Sequence, residues 1–171
     1  EALKCHWRDG MENRPHIFWD SDVMKWIEGV AYLTEAEKEP TLEALVDSMV
    51  EDICKNQRED GYFNSYFLTV EPDQIFLHRE NHELYCLGHM IEAAIAYDKA
   101  TGKGKFLSLM RDYVALVRKV FMDEKREAFI TPGHEEIELA LVKMYRHTGK
   151  KKYLELAAIG TVADVVELLD E

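Results

Sequence analysis

The sequence has no long apolar run, only four prolines and only three cysteines, and each scarcity excludes a class of protein. No apolar stretch approaches the ~20 residues of a membrane-spanning helix, so we expect no membrane contact. With 47% apolar residues and so few prolines, the chain is predicted to be globular. Cys5, Cys54 and Cys86 are odd in number and lack CxxC spacing, which argues against a disulfide framework and favours a reducing, cytoplasmic location.

A basic stripe is also absent. The net charge is −12, and the lysines and arginines are scattered along the chain. This distribution argues against nucleic acid and anionic membranes as partners and favours a neutral or cationic ligand. No Gly-rich phosphate loop and no GxSxG nucleophile motif occurs.

Apolar residues at helical spacing dominate the chain and predict an all-α fold. Residues 62–67 briefly show the period-two pattern of a short strand, but their place between helices favours a structured loop. We expect a single domain over residues 1–171, with residues 1–17 as an N-terminal segment before the first helix. Thr131 is predicted to cap the fifth helix and Pro132 to begin it. The six predicted helices lie near residues 23–31, 42–53, 82–100, 106–121, 132–148 and 151–169.

Two similar turns join these helices into hairpins. Thr101-Gly102-Lys103 separates the third helix from the fourth, and Thr148-Gly149-Lys150 separates the fifth from the sixth. Helix pairs of this kind stack into an open solenoid or a closed toroid. In a toroid the first, third and fifth helices form the inner layer and begin at one mouth, which would bring Asp20, His82 and His134 together.

The strongest candidates for ligand binding are His89 and His134. Each lies in the opening of an inner helix beside a glycine, Gly88 or Gly133, that permits close approach. Neutral imidazoles both donate and accept hydrogen bonds, as sugar hydroxyls require.

Five more residues, of which His82 is one, are predicted to bind substrate near this mouth. Trp19 beside Asp20 suits stacking against a sugar ring and binding of its hydroxyls, although Asp20 also suits an N-cap. Asp60 follows the second helix near the predicted rim, and Glu135 follows His134. Asp20 or Asp22 with Glu135 would also make a carboxylate pair for glycoside hydrolysis.

A metal site is an alternative interpretation of the third helix. His82, Cys86 and His89 share one helical face, and histidine and cysteine are good zinc ligands. His82 and Cys86 have the i, i+4 spacing of the two histidines in HExxH, but a catalytic zinc needs a third protein ligand, and no other residue nearby is an evident candidate. We therefore predict no metal in this chain and regard these histidines as part of a polar pocket wall.

Four motifs in order resemble glycoside hydrolase family 127, the β-L-arabinofuranosidases. They are Trp19-Asp20-Ser21-Asp22 with Lys25-Trp26-Ile27-Glu28, Gln57 to Tyr62, His82 to Ala94, and Pro132-Gly133-His134 to Gly149. The resemblance covers about residues 15–157 and implies an (α/α)6 barrel, of which this chain supplies about half. It also implies that His89 and His134 line an arabinofuranose pocket.

The resemblance further implies a cysteine nucleophile, a glutamate acid/base and a zinc held by cysteines and a glutamate. Cys5, Cys54 and Cys86 do not stand in matching motifs. We therefore expect this chain to bind an L-arabinofuranoside-like sugar without hydrolysing it, and to need a partner, such as a second copy, to complete the barrel. The alternative is a non-catalytic helical-repeat module for protein interaction.

Overall fold

The computed structural model describes residues 1–124 and 132–158, and all regular structure in these ranges is helical. Helix α1 spans Trp19–Ala36, α2 Pro40–Asn56, α3 Ser65–Thr69, α4 Glu83–Thr101, α5 Lys105–Arg118 and α6 Glu136–Thr148. A π-helical stretch, Lys119–Glu124, continues α5. The predicted all-α class is confirmed. Within the described ranges no helix is both long and apolar enough to cross a bilayer.

The ends of several helices follow from local sequence. Pro40 occupies the first position of α2, where its missing N–H costs nothing. Gly102 and Gly149 end α4 and α6 with φ values of 71° and 70°, the left-handed conformation that glycine adopts without penalty. The turn at Gly102 brings α4 against α5, as the hairpin prediction requires.

Helix α4 lies at the centre of the fold, packed between α1 and α6, with α2 and α5 outside this layer. It is buried on most of its circumference, and Leu87, Met90 and Ile91 are fully inaccessible. Burial of each such side chain contributes about 1.5–3 kcal/mol. The first, third and fifth long helices therefore form one layer, as predicted for the inner layer of a toroid.

The N-terminal segment also joins this core. Leu3 is buried, and its carbonyl accepts a hydrogen bond from Asn56 Nδ2 at the end of α2 (3.2 Å).

Two local predictions are wrong. Residues 62–67 include the start of helix α3, because the buried Asn64 side chain accepts hydrogen bonds from the N–H groups of Tyr66 and Phe67 (both 3.1 Å) and caps a helix there. Helix α6 begins at Glu136 instead of Pro132, because His134 Nδ1 accepts the Glu136 N–H (3.1 Å) ahead of the first helical turn. Thr131 lies outside the described residues. Of the sixth predicted helix, residues 152–158 are helical, and the remainder lies outside the described ranges.

Candidate functional site

Three histidines from the openings of α4 and α6 meet around one tyrosine. The ring centroid of Tyr85 lies 4.7 Å from that of His89, 4.9 Å from that of His134 and 6.0 Å from that of His82. We call these four residues the histidine surface. The predicted meeting of His82 and His134, which are distant in sequence, depends on α4 and α6 being neighbours in the inner layer.

Helix α1 supplies the edge of the histidine surface. Phe18, just before α1, stacks on the ring of His82 with a centroid distance of 5.2 Å. Lys25 Nζ donates a hydrogen bond to the Tyr85 hydroxyl (2.8 Å) and lies 5.2 Å from the centre of its ring. The hydrogen bond to Tyr85 raises the pKa of Lys25. Phe18 also meets the Tyr85 ring edge-on, with a centroid distance of 5.9 Å, so two residues next to or in α1 contact Tyr85.

Sequence reasoning missed Tyr85, Phe18 and Lys25. Tyr85 follows His82 by three residues and precedes His89 by four, so the helical period puts all three on one face of α4. That spacing was a usable signal. Nothing local to Phe18 or Lys25 indicated which helix α1 would contact.

Gly88 and Gly133 permit the close approach that the sequence predicts. A Cβ on Gly88 would lie 2.7 Å from Glu136 Cγ, and a Cβ on Gly133 would lie 2.4 Å from the Arg79 carbonyl oxygen and 3.3 Å from His82 Nδ1. A larger residue at either position would push α6, or the segment just before it, away from α4 and the segment that precedes α4. The two glycines therefore set the spacing of the histidine surface.

A polar cluster adjoins the histidine surface at His89, between α4 and α6. His89 Nδ1 lies 3.4 Å from Glu92 Oε2 and 3.6 Å from Glu136 Oε1. Lys143 Nζ forms an ion pair with the other Glu92 oxygen, Oε1. Burial and the neighbouring Glu92 carboxylate raise the pKa of Glu136 to about 8. Burial opposes ionisation of Glu92 too, but interactions with His89, Glu136 and Lys143 outweigh it and hold the pKa of Glu92 below its ordinary value.

Glu83, the first residue of α4, is a buried carboxyl group behind His82. The Tyr62 hydroxyl donates to Glu83 Oε1 (2.5 Å), and the Phe76 N–H donates to Oε2 (2.8 Å). Burial raises the pKa of Glu83 to about 7, although these hydrogen bonds act to lower it. Glu83 thus ties the start of α4 to two preceding segments, a role that the sequence did not predict.

The other predicted site residues lie apart from the histidine surface. Trp19 lines a separate cavity of about 480 Å³ with Trp7, Met11 and Pro15. Asp20 does not cap α1 as expected. It is 2% exposed, and its Oδ2 accepts the N–H of Ser65 at the start of α3 (2.6 Å).

Asp60 and Glu135 also lie away from the histidines. Asp60 accepts the Tyr62 N–H (3.1 Å), pairs with Arg58 (2.9 Å) and lines another cavity of about 270 Å³. Glu135 is exposed just before α6. Substrate binding by Trp19, Asp20, Asp60 and Glu135 stays a prediction.

The arrangement of metal-binding side chains differs from the one the sequence suggested. Cys86 Sγ donates to the Ile17 carbonyl (3.2 Å) in the interior. Within the described ranges, the group of three such side chains whose ligand atoms come within 4.8 Å of one another is His89, Glu92 and Glu136. None of Cys5, Cys54 and Cys86 belongs to this group.

Comparison with known proteins identifies the family. The family model for the β-L-arabinofuranosidase catalytic domain of glycoside hydrolase family 127 matches residues 4–171. A non-reducing end β-L-arabinofuranosidase of Bifidobacterium longum subsp. longum is 37% identical over 146 residues, which are 82% of this chain and 22% of that protein.

Solved structures agree with this match. The family 127 β-L-arabinofuranosidase from Geobacillus stearothermophilus T6 has a TM-score of 0.83 and 43% identity, covering 92% of this chain and 26% of that chain. Another family 127 β-arabinofuranosidase has a TM-score of 0.77 and 31% identity, covering 93% of this chain and 26% of that chain. This chain thus spans about a quarter of the length of its relatives. Its helices form part of an (α/α) barrel, and the chain belongs to glycoside hydrolase family 127, the β-L-arabinofuranosidases.

Proposed function

We propose that the histidine surface is one wall of a pocket that binds an L-arabinofuranoside. The observation that carries the proposal is the convergence of His82, His89 and His134 on Tyr85, where α4 and α6 begin. Imidazole nitrogens donate and accept hydrogen bonds to hydroxyl groups, and aromatic rings pack against the apolar face of a sugar. The relatives' names supply the sugar class.

The accessibility of these residues supports a ligand contact. His134 is exposed, and His82 and Tyr85 are half-buried. The ring of His82 stacks on Phe18. A neutral sugar also suits a chain whose net charge is −12.

We infer that this chain binds the sugar without hydrolysing it. The resemblance implies that the complete catalytic domain uses a cysteine thiolate and zinc. Burial raises the pKa of Cys5 and of Cys86 to about 12, which leaves both as poor nucleophiles at neutral pH. Cys54 lies on the outer helix α2. None of these thiols belongs to the histidine surface.

A binding measurement with paired histidine variants tests this function. We expect titration with methyl β-L-arabinofuranoside, followed by heteronuclear NMR, to shift resonances of α4 and α6. In His134→Ala the affinity should fall about fivefold, the equivalent of one lost hydrogen bond of about 1 kcal/mol. His147→Ala is the matched control, because His147 lies at the other end of α6 and bonds Asp98 (2.6 Å); its affinity should not change.

Two results would contradict the proposal. An equal loss in His147→Ala, or no response to any pentose, would favour the helical-repeat interaction module. Release of nitrophenol from a nitrophenyl arabinofuranoside by the purified chain, abolished in His134→Ala, would refute binding without hydrolysis.

We also infer that a second copy of the chain completes the ring. Large apolar side chains remain exposed on the inner helices, with Trp26 42% and Leu33 47% exposed on α1 and Leu139 51% exposed on α6. Sedimentation equilibrium should therefore find a dimer or higher oligomer at micromolar concentration. A monomer under these conditions would contradict this inference.

A further inference from the structure

The polar cluster between α4 and α6 has the spacing of a coordination site. His89 and Glu92 lie three residues apart on one face of α4, and Glu136 is the first residue of α6. In a tetrahedral site with metal–ligand bonds of about 2.1 Å, neighbouring ligand atoms are about 3.4 Å apart. The distances from His89 Nδ1 to Glu92 Oε2 and to Glu136 Oε1 are 3.4 and 3.6 Å.

Two of these ligand atoms are buried and form no hydrogen bond. His89 Nδ1 and Glu136 Oε1 are inaccessible to solvent and have no hydrogen-bond partner among the described residues. The side chains of His89 and Glu136 are 12% and 11% exposed. A buried polar atom without a hydrogen bond costs about 1–3 kcal/mol, and a cation bound between these two atoms would satisfy both.

The surroundings favour a cationic occupant. Two carboxyl groups face one imidazole, and among the described residues one ammonium group, that of Lys143, pairs with the cluster. Lys143 binds Glu92 Oε1 and so leaves Oε2 directed to His89, as outer residues orient the ligands of metal sites. Gly88 lets Glu136 approach, since a Cβ there would lie 2.7 Å from Glu136 Cγ.

We propose that His89, Glu92 and Glu136 bind one divalent transition-metal ion of the Zn²⁺ class, which clamps α4 to α6. One imidazole nitrogen and two carboxylate oxygens suit Zn²⁺ better than Ca²⁺ or Mg²⁺, which prefer oxygen ligands throughout. The site uses no cysteine and does not rest on the proposed sugar function. Because His89 also contacts Tyr85, the ion fixes one residue of the histidine surface.

Zinc titration of the chelator-treated chain tests the site. We expect elemental analysis and calorimetry to find one Zn²⁺ per chain, while Ca²⁺ binds far more weakly. The melting temperature should rise by about 5–10 °C when free Zn²⁺ is a hundredfold above Kd. In Glu136→Gln and, separately, in His89→Gln, Zn²⁺ affinity should fall at least tenfold.

A second histidine–carboxylate pair offers a matched control. His147 on α6 and Asp98 on α4 join the same two helices at 2.6 Å and belong to no described three-ligand group. Asp98→Asn should therefore leave Zn²⁺ affinity unchanged. Far-UV circular dichroism of each variant separates loss of the site from loss of the fold.

Three outcomes would overturn the metal site. Wild-type chain that takes up no Zn²⁺ would show that a proton shared by the two carboxyl groups fills the gap. Stoichiometric Zn²⁺ that persists in Glu136→Gln and His89→Gln but disappears in Cys86→Ser would place the ion elsewhere. Equal loss in Asp98→Asn would show that the titration reports helix packing instead of coordination.

Discussion

Gly61→Ala is expected to lower the free energy of unfolding by about 3–5 kcal/mol, much of the ~5–15 kcal/mol of a typical domain. A Cβ at this position would lie 2.6 Å from the Asp112 carbonyl oxygen and 2.7 Å from its carbonyl carbon. These atoms belong to the backbone of α5 and have no rotamer that would relieve the overlap. Gly61 also has φ +94°, which a residue with a Cβ rarely adopts. Urea denaturation followed by circular dichroism measures the change.

Gly29→Ala is the matched control for this prediction. Gly29 is exposed within α1, and a Cβ there would meet no atom within 4 Å. Alanine at an exposed helix position is favoured over glycine by up to about 1 kcal/mol, so this variant should be slightly more stable than the wild type. If Gly61→Ala changed stability by less than 1 kcal/mol, the close packing of this turn on α5 would be wrong.

The effect of Gly61→Ala should also reach the candidate site. The Gly61 N–H donates to the Arg58 carbonyl (2.9 Å), closing the turn that delivers Tyr62 into the core. Tyr62 in turn holds Glu83 at the start of α4. Displacement of the turn would therefore loosen the histidine surface as well as the core.

The second large effect is a dependence of stability on pH that comes from Glu83. Its pKa is about 7 in the folded chain, against an ordinary value of 4.5. Because the folded state holds this proton more tightly, its stabilising contribution is fully present below pH 4.5 and is lost as the pH rises towards 7. The expected loss is about 3 kcal/mol. Denaturation curves between pH 4 and 8 measure it.

Glu83→Gln should remove this part of the pH dependence. A glutamine amide can accept the Phe76 N–H and donate to the Tyr62 hydroxyl, so both contacts survive with no titrating proton. Glu35→Gln, at an exposed position in α1, should leave the wild-type dependence unchanged. The prediction fails if Glu83→Gln loses stability over this pH range as steeply as the wild type.

Most long helices could be predicted because the period of 3.6 residues is a local property. The apolar positions of α1, α2, α4 and α5, and the glycines that end α4 and α6, all followed from neighbouring residues. The beginnings of α3 and α6 could not be predicted. Asn64 caps α3, and His134 accepts a hydrogen bond from the first residue of α6. The geometry of both hydrogen bonds depends on the path of the surrounding chain.

The site was predictable only in part, and for the same reason. His82, His89 and His134 were selected by type and position, and the structure brings them together. Asp20 was selected on the same grounds, but its carboxylate is buried against Ser65. A residue at the start of an inner helix can face the mouth or the core, and the helical period alone does not distinguish the two over a single turn.

By itself the sequence determined the helical class, the hairpin turns and the family, since each depends on residues near one another in the chain. Only the tertiary structure decided that Lys25 meets Tyr85 and that Gly88 admits Glu136 beside His89, because these residues come from different helices. These contacts depend on the relative orientation and distance of α1, α4 and α6 where they pack. The periodicity of any one helix does not determine either quantity.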